Sequence, residues 1–308
     1  MPIIQRVFLE VFGDNNINFL VVGADSFLGS RLVSQFKRQG HNVIGTTRRP
    51  ETIGLGRVFL DIRDSDNFQI SGNECIFILA GVTNYGLCET YPEAWDINVK
   101  ALPRMASRFL ESGAFVFFVS TNSVFGGDHP WPREDDPHQP TIAYSRQKSA
   151  SEAAIRNQAE KLGCLDQFAI IRLTKVVGAN TPPFPQWLND WKNDKVVRPF
   201  SDFIFAPLSL DFAAKSLVTL GERPIPGNLH LSGSKNITYF EFAKALAAQL
   251  RVSDSLIEPT TSVDRGIEVL YLPKYSGIDM KKTSELTGIF PETLESVVAS
   301  LTAGEYAP

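Results

Sequence analysis

Six apolar runs of strand length stand between residues 18 and 173: NFLVVG (18–23), HNVIGTT (41–47), the RVFL that opens RVFLDIRD (57–64), ECIFILAG (74–81), AFVFFV (114–119) and QFAIIRL (167–173). Runs this uniformly apolar read as buried strands, because a strand with one wet face would alternate. Helix-patterned segments lie among them, notably ADSFLGSRLVSQFKRQG (24–40), PEAWDINVKALPRMASRFLESG (92–113), which Pro103 should bend, and YSRQKSASEAAIRNQAEKL (144–162). Strands alternating with helices pair in parallel through right-handed crossovers, so the expected fold class is α/β, a doubly wound parallel sheet. Ligands of such sheets sit at the carboxyl edge of the strands, which makes the strand exits the places to search.

The first exit, Gly23-Ala-Asp-Ser26-Phe27-Leu28-Gly29, has the shape of a G-x-x-G-x-x-G loop with serine at the second glycine. A loop of this kind lets backbone N–H groups and a helix N-terminus meet a pyrophosphate, and the Ser26 hydroxyl is a further donor to phosphate. The second strand ends in Arg48-Arg49 with no carboxylate at its tip. Either these are two solvated loop arginines, or they suit the 2′-phosphate of NADP where a carboxylate would suit the ribose of NAD. Asp61 and Ile62 follow the third strand, positioned to border an adenine, and the fourth strand exits on the small residues Ala80-Gly81, which let a bulky ligand lie against the backbone.

The stretch 114–148 brings together the groups that one reaction needs. AFVFFV delivers Ser120 and Thr121 to the sheet edge, and Tyr144 and Lys148 share a helix face at i and i+4. An ammonium beside a phenol favours the phenolate and lowers its pKa, which suits the phenol to general acid–base work, and a neighbouring hydroxyl such as that of Thr121 can hold a carbonyl or alkoxide oxygen.

From Thr174 the alternation breaks. Residues 174–210 are rich in Pro, Phe and Trp with little regular periodicity, which suits a lid or substrate wall. A helix is expected again over 209–224, a strand over 227–233, a helix over 237–250 with Thr238 as N-cap, and two short helical segments around Gly288. The expected organisation is a dinucleotide-binding domain from 1–173 and about 209–233, and a smaller, discontinuous substrate-binding lobe from about 174–208 and 234–308.

Composition narrows the partners. The chain has 308 residues, 43% hydrophobic and 21% charged, with a net charge of −4 and no long basic run, which argues against nucleic acid or an anionic membrane. Three cysteines and four histidines give neither a disulfide framework nor a metal pattern, so a reducing, cytoplasmic setting is expected. Residues 1–16 lack the basic start and unbroken apolar core of a signal peptide and read as a short amphipathic extension.

Together these residues resemble the extended short-chain dehydrogenase/reductase superfamily, and within it the dTDP-4-dehydrorhamnose reductase-like branch of sugar-nucleotide reductases and epimerases. The resemblance covers nearly the whole chain. It rests on Gly23 to Gly29 for pyrophosphate, Asp61-Ile62 beside adenine, Leu79-Ala80-Gly81 beneath the cofactor, Asn98 in the helix before the fifth strand, Ser120-Thr121-Asn122-Ser123-Val124-Phe125 as a variant of S-T-D-Y-V-F, Tyr144 with Lys148, Arg172, and HLSGSKNITYFEFA. What it implies is a Rossmann-type domain with NADP as cofactor, a catalytic set of Thr121, Tyr144 and Lys148, and a role for Lys148 in holding the nicotinamide ribose. It further implies a nucleotide-diphosphate sugar as substrate and a homodimer through the helices at 92–113 and 144–162.

In the smaller lobe Lys192, Lys195 and Arg198 offer charge to a diphosphate and Trp187 or Phe200 a stacking face, or else these are surface cations and core aromatics. Ser26 in place of glycine bears on cofactor affinity, and Asn122-Ser123 in place of Asp-Tyr bears on the substrate. Dehydratase relatives carry Asp-Glu where this chain has Asn122-Ser123, and relatives that epimerise beside the ketone carry a cysteine at the Ser123 position. Reduction of a 4-keto sugar nucleotide by NADPH is therefore the expected reaction, with 4-epimerisation and a non-catalytic, NADP-binding regulatory subunit as the alternatives.

Overall fold

The computed structural model describes residues 18–54, 56–68 and 74–303; the extension expected over 1–16 lies outside the described residues. Strand β1 (Asn18–Val22) leads through the glycine-bearing turn into helix α1 (Phe27–Arg38). Strands β2 (Asn42–Thr47), β3 (Arg57–Phe59) and β4 (Glu74–Ile78) follow, then the short helix α2 (Tyr85–Thr90). A helical turn at Glu93–Trp95 widens into a π-helical stretch, Asp96–Ala101, before α3 (Leu102–Glu111). Pro103 thus does not simply bend one helix. It has no N–H to offer the Val99 carbonyl four residues back, and the turns preceding it are wider than an α-helix allows.

Strand β5 (Phe115–Thr121), helix α4 (Ala143–Leu162) and strand β6 (Phe168–Leu173) come next, then β7 (Lys175–Val177), α5 (Phe184–Lys192), β8 (Ile204–Phe205) and β9 (Pro207–Ser209). Helix α6 (Leu210–Glu222), strands β10 (Gly227–Leu231) and β11 (Ile237–Thr238), and helices α7 (Tyr239–Leu250), α8 (Lys281–Thr287) and α9 (Leu294–Thr302) complete the chain. Thr238 caps α7, its hydroxyl accepting from the Glu241 N–H.

One seven-stranded sheet runs in the order β10-β6-β5-β4-β1-β2-β3, and the β1–β2, β2–β3, β1–β4 and β4–β5 pairings are parallel. This is the expected doubly wound α/β class. Strand order reverses between β1 and β4, which makes their carboxyl ends, at Gly23 and at Leu79, the switch point where such sheets take ligands. The strand cores are apolar throughout because both faces are covered. Leu20, Ile76, Val116 and Phe118 pack with Met105, Phe109 and Ile155 on one side; on the other Phe19 stacks on Phe36 with ring centroids 4.0 Å apart and Phe77 on Phe117 at 4.6 Å. Each such side chain contributes about 1.5–3 kcal/mol by leaving water.

The chain forms two compact units: residues up to Val124 with Pro140–Arg172 and Ala214–Leu229, and Phe125–Gln139 with Leu173–Ala213 and His230 onward. Residues 125–139 therefore pack with the second unit, although in sequence they fall inside the first expected domain. The reason is local bonding: the Tyr275 N–H donates to the Gly127 carbonyl at 2.9 Å, the Asp279 N–H donates to the Pro132 carbonyl at 3.0 Å, and the Phe125 ring stands 5.6 Å from that of His230.

In the second unit β7 pairs with β9 in parallel and β8 with β11 antiparallel. Its core is Phe184, Trp187, Leu188 and Trp191 of α5 against Phe205, Phe242, Leu246, Val297 and Leu301. The stretch after Thr174 is thus not irregular, since α5 presents its apolar residues at i, i+3, i+4 and i+7. Among the described residues no helix is long and apolar enough to cross a membrane.

Candidate active site

The carboxyl edge of the first unit gathers the residues singled out above. Gly23 ends β1 with φ +91°, and a Cβ there would come within 2.8 Å of the Ala80 nitrogen, so the exits of β1 and β4 lie backbone against backbone. The Gly23 N–H donates to Thr46 Oγ1 at 3.1 Å, tying the loop to β2. Ser26 is the N-cap of α1: its oxygen accepts from the Gly29 N–H at 3.1 Å, and its own hydrogen goes to the Gly23 carbonyl at 2.8 Å. The serine hydroxyl thus caps the helix. Phe27 and Leu28 open the helix, where N–H groups have no intrahelical acceptor, and Phe27 is 45% exposed.

Sequence reasoning missed Asp25 in the same loop. Its carboxylate accepts from Thr47 Oγ1 at 2.6 Å and pairs with Arg49 at 3.0 Å and with Arg57. These partners, the Arg49 guanidinium first, hold its pKa down to about 2. Arg49 consequently begins with a carboxylate partner. Arg48 is exposed, and its charge contributes to lowering the Asp61 pKa, after the larger effect of the Arg63 hydrogen bond. Asp61 caps a short 3-10 turn, accepting from the Arg63 N–H at 3.0 Å and from its guanidinium at 2.6 and 3.1 Å, with Ile62 buried beside it.

Beyond β4 the Leu79 N–H still donates to the Val22 carbonyl at 2.9 Å, and Gly81 takes φ +145°, with Asn98 Oδ1 2.9 Å from where a Cβ would stand. Asn98, 1% exposed, grips this exit through its side chain. Its Oδ1 accepts from the Val82 N–H and its Nδ2 donates to the Val82 carbonyl, each at 2.9 Å, and Nδ2 also donates to Gln147 Oε1 at 2.7 Å. The amide is committed inside the protein, which makes Asn98 a positioning residue that pins the β4 exit to α4. Gln147 is the partner that sequence reasoning missed.

Thr121 closes β5 at 9% exposure, its Oγ1 3.1 Å from Ser123 Oγ and accepting from the Ser123 N–H at 3.2 Å. Its hydroxyl is close enough to that of Tyr144 to favour the phenolate slightly. Helix α4 sets Tyr144, its first turn held by Glu89, whose Oε1 accepts from the Ala143 N–H at 2.6 Å. The Tyr85 ring lies 5.2 Å from that of Tyr144.

One turn on, Lys148 is buried, with Nζ donating to the Val119 carbonyl at 2.7 Å and lying 3.9 Å from the Phe118 ring centroid. The expected lowering of the phenol by this ammonium is not what the structure shows. Burial, reinforced by Tyr85 and Cys88, pushes Tyr144 above the ordinary phenol value against the opposing effect of Thr121, while burial brings Lys148 down to about 8. The phenol therefore keeps its proton at neutral pH.

A second turn on, Glu152 forms a buried pair with Arg172 at 2.8 Å, each 2% exposed, and accepts from the Ser120 hydroxyl. Glu152 was legible only as the next residue at i+4. Tyr144, Lys148 and Glu152 thus line one face of α4 and bind it to the ends of β5 and β6.

In the second unit Lys192 and Lys195 are exposed, Arg198 pairs with Glu258 at 2.8 Å, and Phe200 stacks on Phe203 at 4.4 Å. Trp187 is buried at 6% exposure within the core, so it offers no stacking face.

The chain is similar to several proteins over most of its length. It is 29% identical to the spore coat polysaccharide biosynthesis protein SpsK of Bacillus subtilis (strain 168) over 79% of this chain and 82% of that one. It is 25% identical to the probable low-salt glycan biosynthesis reductase Agl14 of Haloferax volcanii (92% and 96%), and 25% identical to methionine adenosyltransferase 2 subunit beta of Bos taurus (91% and 86%). Its fold matches dTDP-4-dehydrorhamnose reductase from Bacillus anthracis str. Ames, solved in complex with NADP, with a TM-score of 0.77 and 18% identity over 94% of this chain and 99% of that one. The model of the RmlD substrate binding domain matches residues 17–305. The chain belongs to that family, the dTDP-4-dehydrorhamnose reductase-like branch of the extended short-chain dehydrogenases/reductases.

Proposed function

We propose that the protein reduces the keto group of a nucleotide-linked 4-keto sugar with NADPH. The observation that carries this reading is the convergence at one sheet edge of Thr121, which ends β5, with Tyr144 and Lys148 one turn apart on the helix beside it, Lys148 bonded to the Val119 carbonyl of the same strand. The loop fits a dinucleotide. The N-terminal turn of α1 stands beside Gly23, the β4 exit at Ala80-Gly81 is nearly free of side chain, and Lys148 brings an ammonium to the same edge.

When bound, the reduced nicotinamide supplies the hydride. As negative charge develops on the substrate oxygen, Tyr144 gives its proton to that oxygen and Thr121 holds it by a hydrogen bond. Lys148 holds the nicotinamide ribose from its place one turn along the helix, with Nζ anchored on the Val119 carbonyl. Asn122 and Ser123, beside Thr121, have no group that titrates near neutrality, which supports reduction over elimination of water. Arg48 and Arg49 support NADPH over NADH, in keeping with the NADP held by the Bacillus anthracis reductase.

A homodimer over the helices at 92–113 and 144–162 belongs to the same reading, supported by exposed Leu87, Tyr91 and Trp95 near the start of the first helix, and light scattering checks it. The three free cysteines, one of them half-buried, fit a reducing cytoplasm.

The deciding experiment offers the protein a panel of nucleotide 4-keto sugars with NADPH. A reductase oxidises one NADPH per sugar reduced, whereas interconversion of 4-hydroxy epimers with only catalytic cofactor would show a 4-epimerase. Similarity to methionine adenosyltransferase 2 subunit beta favours one other reading, a cofactor-binding subunit, which predicts tight dinucleotide binding and no oxidation with any sugar.

A further inference from the structure

The end of β2 has no acidic residue in sequence, yet a carboxylate stands there. Asp25 reaches it from the glycine-bearing loop: Thr47 Oγ1 donates to its Oδ2 at 2.6 Å, Arg49 engages both oxygens through Nη2 at 3.0 Å and Nε at 3.3 Å, and Arg57 engages Oδ1. Thr47 extends the lattice, accepting from the Arg49 N–H at 3.0 Å and lying 2.8 Å from the Thr52 hydroxyl. The strand tip is thus not a pair of free cations but a compensated cluster in which one anion is shared between two guanidinium groups.

We infer that Asp25 is the residue that sets the cofactor preference at this tip, by competing for the arginine that a 2′-phosphate needs. The inference rests on the reading of this edge as a dinucleotide site. A phosphomonoester brings between one and two negative charges and binds best to guanidinium groups with open N–H forks. Here the Arg49 fork already meets a carboxylate, so an arriving phosphate must share or displace it, and it approaches a like charge in doing so. A ribose 2′-hydroxyl needs only an acceptor, and the Asp25 carboxylate is one. Asp25 therefore lowers affinity for the 2′-phosphorylated cofactor and leaves the unphosphorylated one unhindered, which narrows the preference that Arg48 and Arg49 alone would give. The low pKa of Asp25 keeps this competition in force at any physiological pH.

Equilibrium binding tests this, with Kd values for NADPH and NADH, and for adenosine 2′,5′-bisphosphate against AMP, measured by calorimetry or cofactor fluorescence. Asp25→Asn keeps the side chain's size and its bond from Thr47 while removing the charge. It should tighten NADPH and the bisphosphate by about tenfold and leave NADH and AMP within about twofold. Arg57→Gln should act in the opposite direction, because Asp25 then falls to Arg49 alone and NADPH binding weakens; this variant leaves the loop's own residues intact. In the Asp25→Asn/Arg49→Gln double variant the gain should vanish. An unchanged NADPH-to-NADH ratio in Asp25→Asn, an equal change in both, or tighter NADPH binding in Arg57→Gln overturns the inference while the dinucleotide reading stands. Failure of the unmutated protein to bind either dinucleotide overturns that reading and this inference with it.

Discussion

Replacing Glu152 by alanine should destabilise the first unit more than replacing Thr121 or Tyr144, which make no buried ion pair. Glu152 and Arg172 are each 2% exposed, with Arg172 Nη2 at 2.8 Å and Nε at 3.2 and 3.3 Å from the carboxylate oxygens, and Ser120 donates to the same group. Truncation leaves a guanidinium in the interior without its carboxylate, at a cost of about 3–5 kcal/mol. For a unit of this size each kcal/mol lowers the melting temperature by about 2–4 °C, so a fall of about 6–20 °C is expected in a calorimetric or circular-dichroism melt. Replacing both partners, as in Glu152→Leu/Arg172→Met, should recover most of the loss, because well-packed apolar residues remove the unpaired charge. A fall of less than about 2 °C in Glu152→Ala, or a double variant no better than the worse single one, would refute the view that the pair is mutually dependent.

Tyr144→Phe keeps the ring against Tyr85 and removes the proton, so dinucleotide binding should persist while turnover falls by about 10²–10⁴-fold; unaltered turnover would point to another acid. Burial lowers Lys148 from 10.5 to about 8, so between these values the unfolded chain binds more protons than the folded one, and stability rises with pH as a penalty that is complete below about pH 8 is relieved. Relative to the unmutated protein, Lys148→Met should gain on the order of 3 kcal/mol more at pH 7 than at pH 10.5 in urea unfolding, and an equal effect at both would contradict the assignment.

The sheet was legible because strands covered on both faces leave uniform apolar runs, and Phe19, Phe77 and Phe117 are as buried as Leu20 and Ile76. Tyr144 and Lys148 were legible because helical spacing alone puts them on one face. What the spacing does not convey is where a flexible side chain turns. Lys148 spends its ammonium on the Val119 carbonyl, so the phenol is governed by burial beside Tyr85 rather than by that charge. Asp25 was hidden for a similar reason, since its pairing with Arg49 depends on a loop folding back onto a neighbouring strand. Helix α5 was obscured by composition: prolines are tolerated in a first helical turn, and the Pro-rich approach masked an ordinary apolar stripe over Phe184, Trp187, Leu188 and Trp191.

The place of β10 in the sheet governs how this chain can emerge from a ribosome. Strand β6, FAIIRL, is buried at every residue, yet its outer neighbour is encoded only after β7, α5, β8, β9 and α6 have been made. Until Gly227–Leu231 arrives, the nascent protein carries an apolar strand with an open row of backbone donors and acceptors, the kind of edge that recruits other chains. Any fragment cut before Gly227 keeps that edge permanently. Expression trials that divide the chain at the end of β6 should therefore yield aggregates, and an isolated version of the first unit requires residues 214–231 to be spliced directly behind Leu173.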